Sequence, residues 1–129
     1  MTVEKLSRFT LLNDVYNANP TSMEASLQVL SRAPGRKVCI LGDMLELGDQ
    51  GIAFHERIAK EASRLGIDLI LGVGPLFEQA VQKANGQGFL TQDALLEALP
   101  RLLRDGDTIL VKGSRGMHLE NAVACIRAL

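Results

Sequence analysis

Short apolar runs alternate with helix-period segments along almost the whole chain, and few architectures accommodate that alternation. The runs are Phe9–Tyr16, Lys37–Leu41, Asp68–Val73 and Asp107–Val111, with Gly88–Leu90 as a shorter candidate. Between them, apolar residues recur at spacings of three and four, the period of one helix face. Asn19 suits a helix cap and Pro20 the first helical position, ahead of Met23, Leu27 and Leu30. Phe54, Ile58, Ala62 and Leu65 make a second face, with Gly66 as its C-terminal stop. Leu76, Phe77, Ala80, Val81 and Ala84 make a third. Thr91 can cap a fourth helix, in which Pro100 is expected to kink or end the regular spiral. Leu119, Ala122, Val123, Ile126 and Leu129 complete the set.

Strands that are apolar on both sides belong in a sheet covered on both faces. Alternation with helices makes that sheet mostly parallel, with right-handed crossovers. The sequence therefore predicts a three-layer α/β domain. Its 129 residues suffice for one such domain, expected over residues 9–129. Met1–Arg8, polar and short, reads as a leader or linker remnant. In an open parallel sheet, the loops that leave strands for helices gather at the carboxyl edge, where such folds bind ligands. Here those loops are "NANPTS", "GDMLELGDQG", "GVGP" and "KGSRG", the segments richest in Gly, Asn and charge.

Composition narrows the ligand. Net charge is −1, and aromatics are 4% with no Trp. No basic field or stacking platform recommends nucleic acid as a partner. No apolar run approaches the roughly 20 residues of a membrane span, and no signal peptide is visible, so a cytoplasmic protein is expected; a monomer is expected as well. Cys39 lies in an apolar run and Cys125 in a helical pattern, consistent with two buried reduced thiols. With only two histidines, His55 and His118, no metal site is expected.

Four segments carry candidate chemistry, each with a plainer reading beside it. Asp14, Tyr16, Asn17 and Asn19 stand at a strand end, where asparagines also serve as turn and cap residues. Asp43 and Glu46, three apart, could bind a cation or act as acid and base, or be solvated loop charges. Met44, Leu45 and Leu47 are unusual in a loop and suggest that it packs against something. His55 shares a helix side with Ile58, Ala59 and Ala62 and suits a structural role; His118 suits a solvent-facing helix start. Lys112, Ser114 and Arg115 stand where a glycine-rich turn meets a helical pattern, which fits a carboxylate or phosphate, or a charged turn. None of these is a G-x-x-x-x-G-K-[ST] or G-x-G-x-x-G loop.

Three segments in this order and spacing resemble the C-terminal domain of the Mur ligase family. They are "YNANP" (Tyr16–Pro20), "LGDMLELG" (Leu41–Gly48) with His55 downstream, and "KGSRGM" (Lys112–Met117). The resemblance runs from Leu11 to Leu129 and implies a Rossmann-like fold. It points to the branch of the family that joins D-alanyl-D-alanine to a UDP-MurNAc-tripeptide in peptidoglycan precursor synthesis, using ATP and Mg²⁺. The resemblance also implies two partner domains, a central ATP-binding domain with the phosphate-cradling loop and an N-terminal domain that holds the UDP-sugar. It assigns Asp14, Tyr16, Asn17 and Asn19 to ATP, and Asp43, Glu46, Lys112, Ser114 and Arg115 to the acceptor, with a helix N-terminus behind the last three. His55 is expected to support the "GDM" loop. No catalytic residue is expected within this sequence, no cofactor is expected to bind it tightly, and without the phosphate-cradling loop the isolated chain is expected to be inactive. The competing expectation is a stand-alone Rossmann-like module that binds a small ligand or regulates. A small phosphatase or transferase built on Asp43 is disfavoured, since no nucleophile stands near a base.

Overall fold

The computed structural model describes residues 1–129. Six strands and five helices follow one another as β1 (Thr2–Lys5), β2 (Thr10–Asp14), α1 (Pro20–Ser31), β3 (Lys37–Gly42), α2 (Gly51–Arg64), β4 (Leu69–Val73), α3 (Pro75–Gln82), β5 (Gln87–Phe89), α4 (Gln92–Leu102), β6 (Thr108–Lys112) and α5 (Glu120–Ala128). The strands form one sheet in the order β1-β2-β6-β3-β4-β5. Every pairing is parallel except β1 with β2. The expected mostly parallel three-layer architecture is present.

Strand periodicity sorts the core into two layers. Leu12, Cys39, Leu41, Ile70 and Leu110 point to one face, where Met23, Leu27 and Leu30 of α1, Ile58 and Ala62 of α2, and Phe77 and Val81 of α3 cover them. Leu11, Val38, Ile40, Leu71, Ile109 and Val111 point to the other, under Leu95 and Leu99 of α4 and Ala122, Val123 and Ile126 of α5. Successive residues of β3 and β6 thus alternate between two dry interiors, which is why these strands carry almost no polar side chains.

Local signals set most boundaries. Asn19 is extended, its side chain accepts the Ser22 N–H at 2.9 Å, and Ser22 Oγ accepts the Asn19 N–H at 3.1 Å, a reciprocal cap that starts α1. Thr91 caps α4 through the Ala94 N–H, and Gly66 follows α2 with φ +78°. Pro100 corrects one expectation, since α4 runs past it to Leu102. In the last turn a proline removes only one intrahelical donor, and the Leu103 N–H still reaches the Leu99 carbonyl at 3.0 Å.

Met1–Arg8 also takes a structure that its polar sequence did not signal. Thr2–Lys5 forms β1, registered against Thr10–Asn13 of β2. Arg127 of α5 holds Glu4 through two hydrogen bonds of 2.8 Å, and Asn13 donates to the same carboxylate at 3.1 Å. The Arg127 hydrogen bond, then that of Asn13, keeps the Glu4 carboxyl below its usual range.

Cys39 is fully buried, and burial pushes its thiol up to about 12. The native thiol is therefore expected to resist alkylation at pH 8, whereas the half-buried Cys125 reacts. The folded state keeps the Cys39 proton above pH ~9 while the unfolded chain releases it, so this group destabilises the fold as pH rises from about 9 towards 12. Mass-resolved iodoacetamide labelling with and without urea checks the first point. Labelling of native Cys39 at the rate of Cys125 would contradict it.

Candidate functional site

Three loops meet at the carboxyl edge of the sheet. Tyr16, Asn17 and Ala18 follow β2, Leu45 and Glu46 follow β3, and Ser114, Arg115 and Gly116 follow β6; together they line a cleft of about 280 Å³. The strand order explains the meeting. β6 lies between β2 and β3, so loops far apart in sequence leave three adjacent strands side by side. Five of the residues expected at a ligand are among the liners: Tyr16, Asn17, Glu46, Ser114 and Arg115. The Arg115 guanidinium stands over the exposed Tyr16 ring, 5.6 Å from its centroid, joining the first loop to the third.

The other expected residues lie beneath or beside the cleft. Lys112 is 1% exposed. It stands opposite Asp14 in the β2–β6 register, and its Nζ donates to Asp14 Oδ2 at 2.6 Å and to the Asn17 carbonyl at 2.9 Å. Ser26 of α1 donates to the same Asp14 oxygen at 3.2 Å. Asp14 Oδ1 is 4.0 Å from the Met1 amino group, outside hydrogen-bonding distance. Lys112 thus ties the first loop to β6 instead of lining the cleft. Asn19 is exposed, with its Oδ1 held by the α1 cap.

Asp43 is 3% exposed and does not line the cleft either. Its two oxygens accept the Leu76 N–H at 3.0 Å and the Phe77 N–H at 2.8 Å, at the start of α3. These donors have no intrahelical partners, and an anion is favoured at that end of a helix. Gly74 makes room for the carboxylate, since a Cβ there would come within 2.6 Å of Asp43 Cγ.

His55 is fully buried and supports the same loop, as expected. Its Nδ1 lies 2.6 Å from the Gly51 carbonyl, and the Met44 N–H donates to its Nε2 at 2.9 Å. A carbonyl can only accept and an amide N–H can only donate, so the ring carries its proton on Nδ1. Phe77 packs edge-on against it at 4.5 Å. Next along, the Leu45 N–H donates to Ser114 Oγ at 3.1 Å. Asp43, Met44 and Leu45 are therefore anchored in turn to α3, α2 and the β6 loop. Met44 is buried and Leu47 partly so, as an apolar loop that packs requires, whereas Leu45 is exposed and lines the cleft. Glu46 then takes the left-handed region, φ 64°, and lines the cleft.

The helix expected directly behind "KGSRG" is displaced. Arg115–Met117 is a single 3-10 turn, His118 is left-handed with φ 55°, and α5 begins only at Glu120. The Ala122 N–H at the start of α5 donates to Gln92 of α4 at 3.1 Å. Local positive charge at the cleft therefore comes from Arg115. Gly42 and Gly113 let the loops converge here: a Cβ on Gly113 would lie 2.6 Å from Leu119 Cδ1 and 3.2 Å from Gly42 Cα. His118 is exposed, as expected, but it ends the 3-10 turn and does not start the helix.

Sequence reasoning missed Ala18 and Gly116 as liners, noted Leu45 only as packing, and gave no role to Ser26. Leu45 alone carried a signal, as an apolar residue in a polar loop. No three His, Cys, Asp or Glu side chains gather as a metal would need. No helix is long and apolar enough to cross a membrane.

The profile of the family described as "Mur ligase, glutamate ligase domain" matches residues 1–115. UDP-N-acetylmuramoyl-tripeptide–D-alanyl-D-alanine ligase of Escherichia coli (strain K12) is 41% identical over 121 residues, covering 91% of this chain and 26% of the ligase. The ligase of the same name in Bacillus subtilis (strain 168) is 38% identical over 126 residues, 91% of this chain and 28% of its own. A crystal structure of MurF from Acinetobacter baumannii superposes with a TM-score of 0.91 at 33% identity, covering 99% of this chain and 29% of that one. The chain thus spans little more than a quarter of the length of these relatives. It belongs to the Mur ligase family, as a glutamate ligase domain corresponding to the C-terminal domain of the D-alanyl-D-alanine-adding enzymes.

Proposed function

We propose that this domain presents D-alanyl-D-alanine and closes over ATP in an amide ligase of peptidoglycan precursor synthesis. The observation that carries this reading is the cleft itself, where the Tyr16 loop meets Ser114 and Arg115. In the whole ligase, ATP with Mg²⁺ supplies the activated phosphoryl group that makes the tripeptide carboxylate reactive. The central ATP-binding domain and the N-terminal UDP-sugar-binding domain complete the site. Attack by the neutral acceptor amine on the resulting acyl phosphate forms the C–N bond, phosphate leaves with the electrons of the C–O bond, and the amine nitrogen gives up a proton to solvent.

The residues of this domain bind and orient. Tyr16 offers an exposed ring and Asn17 an exposed amide to the nucleotide, and the Asn19 amide nitrogen is free of the cap. Asp14 has one oxygen outside hydrogen-bonding contact, which suits a ribose hydroxyl. On the acceptor side, Arg115 and the Ser114 hydroxyl suit the carboxylate, and Glu46 suits the ammonium. Lys112 and Asp43 act at one remove, by fixing the loops that carry these groups.

Arg115→Ala tests the reading, in the ligase that carries this domain. Loss of a charge-assisted pair in a closed site costs about 2–4 kcal/mol, so the D-alanyl-D-alanine KM should rise roughly 30- to 1000-fold. The ATP KM should move far less. Arg115→Lys should recover little, because an ammonium cannot make the two-pronged contact. A solvated turn would give less than about 0.5 kcal/mol. Steady-state kinetics with both substrates varied decides, and an unchanged acceptor KM and kcat would remove Arg115 from the site.

A further inference from the structure

His55 does more in this geometry than fill space. Its ring is fixed at both nitrogens and against Phe77, so Nε2 is a rigid acceptor for the Met44 N–H. The next residue, Leu45, uses its own N–H on Ser114 Oγ. A hydroxyl that accepts a bond from the protein keeps its proton for another partner. Ser114 lines the cleft beside Arg115, so that proton is available to a ligand there. The position of the Leu45 N–H depends on where the Met44 peptide is held.

We infer that His55 is a positioning residue for the acceptor: by holding the Met44 N–H it keeps the Leu45 N–H on Ser114 Oγ, and so presents the Ser114 hydroxyl as a donor to a carboxylate in the cleft. His55 touches no substrate and acts through two consecutive peptides of the β3 loop. The chain of bonds runs from α2 through Met44 and Leu45 to the β6 loop, joining parts of the sequence that lie 11 and 69 residues apart. Arg115 supplies charge to the same ligand group, and the Ser114 hydroxyl supplies direction. This inference rests on the reading of the cleft given above.

The test uses three variants at position 55 in the whole ligase, with D-alanyl-D-alanine and ATP varied separately. His55→Phe keeps the packing on Phe77 but offers no acceptor. Its acceptor KM is expected to rise about 5- to 30-fold, as for one lost buried hydrogen bond, with ATP KM and kcat nearly constant. His55→Gln can place its amide oxygen near the Nε2 position and should recover most of the loss. His55→Asn can serve the Gly51 carbonyl but is too short for Met44, and should behave like His55→Phe; it keeps the test open should the phenylalanine variant fail to fold. In a Ser114→Ala background, His55→Phe should add less than about a further 2-fold, since both changes remove one contact.

A merely structural histidine would lower thermal stability and active fraction while leaving the acceptor KM in place. That outcome in folded His55→Phe or His55→Asn overturns the inference, as does a full additional effect in the Ser114→Ala background. Amide exchange on the 129-residue chain separates this failure from failure of the functional reading. Loss of Leu45 amide protection in His55→Phe supports the relay whatever the substrate is. An unmoved Leu45 amide rejects the relay, whereas an unmoved acceptor KM in Arg115→Ala rejects the reading of the cleft.

Discussion

Lys112→Met is expected to destabilise the domain by about 3–5 kcal/mol, the usual result of leaving one member of a buried ion pair without the other. Lys112 Nζ donates to Asp14 Oδ2 and to the Asn17 carbonyl, and the lysine side chain is 2% exposed against 19% for Asp14. Without it, Asp14 keeps the Ser26 hydroxyl and, at 4.0 Å, the Met1 amino group, and the Asn17 carbonyl loses its donor. For a domain of this size the midpoint of thermal unfolding should fall by roughly 10–20 °C. Replacing both partners, as Lys112→Met with Asp14→Leu, should recover most of the loss, because an apolar pair of similar volume needs no compensation. Urea unfolding of the single and double variants measures both. A single-variant cost below about 1 kcal/mol, the scale of an exposed pair, would show that water relaxes the charge. This expectation sets Lys112 apart from Arg115: the first should act on folding and the second on acceptor binding.

Gly74→Ala should cost a comparable amount, about 3–5 kcal/mol, by two routes at once. Gly74 sits at φ +107°, ψ 162°, a region closed to L side chains, and there is no room for a methyl group beside the Asp43 carboxylate. The β-carbon would push that carboxylate off the Leu76 and Phe77 amides, leaving the start of α3 uncapped. Because Asp43 precedes Met44 and Leu45, the damage should reach the cleft. Amide exchange should then show loss of protection at Phe77 and Leu45 together. Loss at Phe77 alone would mean that His55 holds the loop without help from Asp43. Asp43→Asn is the milder companion; it keeps one acceptor oxygen and should cost less than Gly74→Ala.

The cleft was partly legible in the sequence because strand-to-helix loops of a parallel sheet share one edge. Tyr16, Asn17, Glu46, Ser114 and Arg115 could be placed there from topology and residue type. Lys112 and Asp43 could not be told from them, since a lysine or aspartate beside a glycine turn has the same letters whether it faces a ligand or a neighbouring loop. The difference lies in strand order. β6 is last in sequence but lies between β2 and β3, which puts Lys112 opposite Asp14 across the ladder. β1 stayed hidden for a related reason: Thr2–Lys5 has only four residues and no sustained alternation, and its place is set by β2 and by Arg127 of α5. The displaced start of α5 was hidden too, because the left-handed His118 and the acceptor offered by Gln92 leave no local pattern.

By itself the sequence determined the five helices, the parallel strands and the layers, because apolar periodicity, capping residues and turn glycines act over a few residues and need no partner to be read. It also determined the family, because three loop segments stand in a fixed order. Only the tertiary structure decided which polar side chains remain free for a ligand. A polar side chain that is buried must instead find a partner, and that partner comes from another segment of the chain: Asp14 for Lys112, the α3 amides for Asp43, and the Met44 peptide for His55.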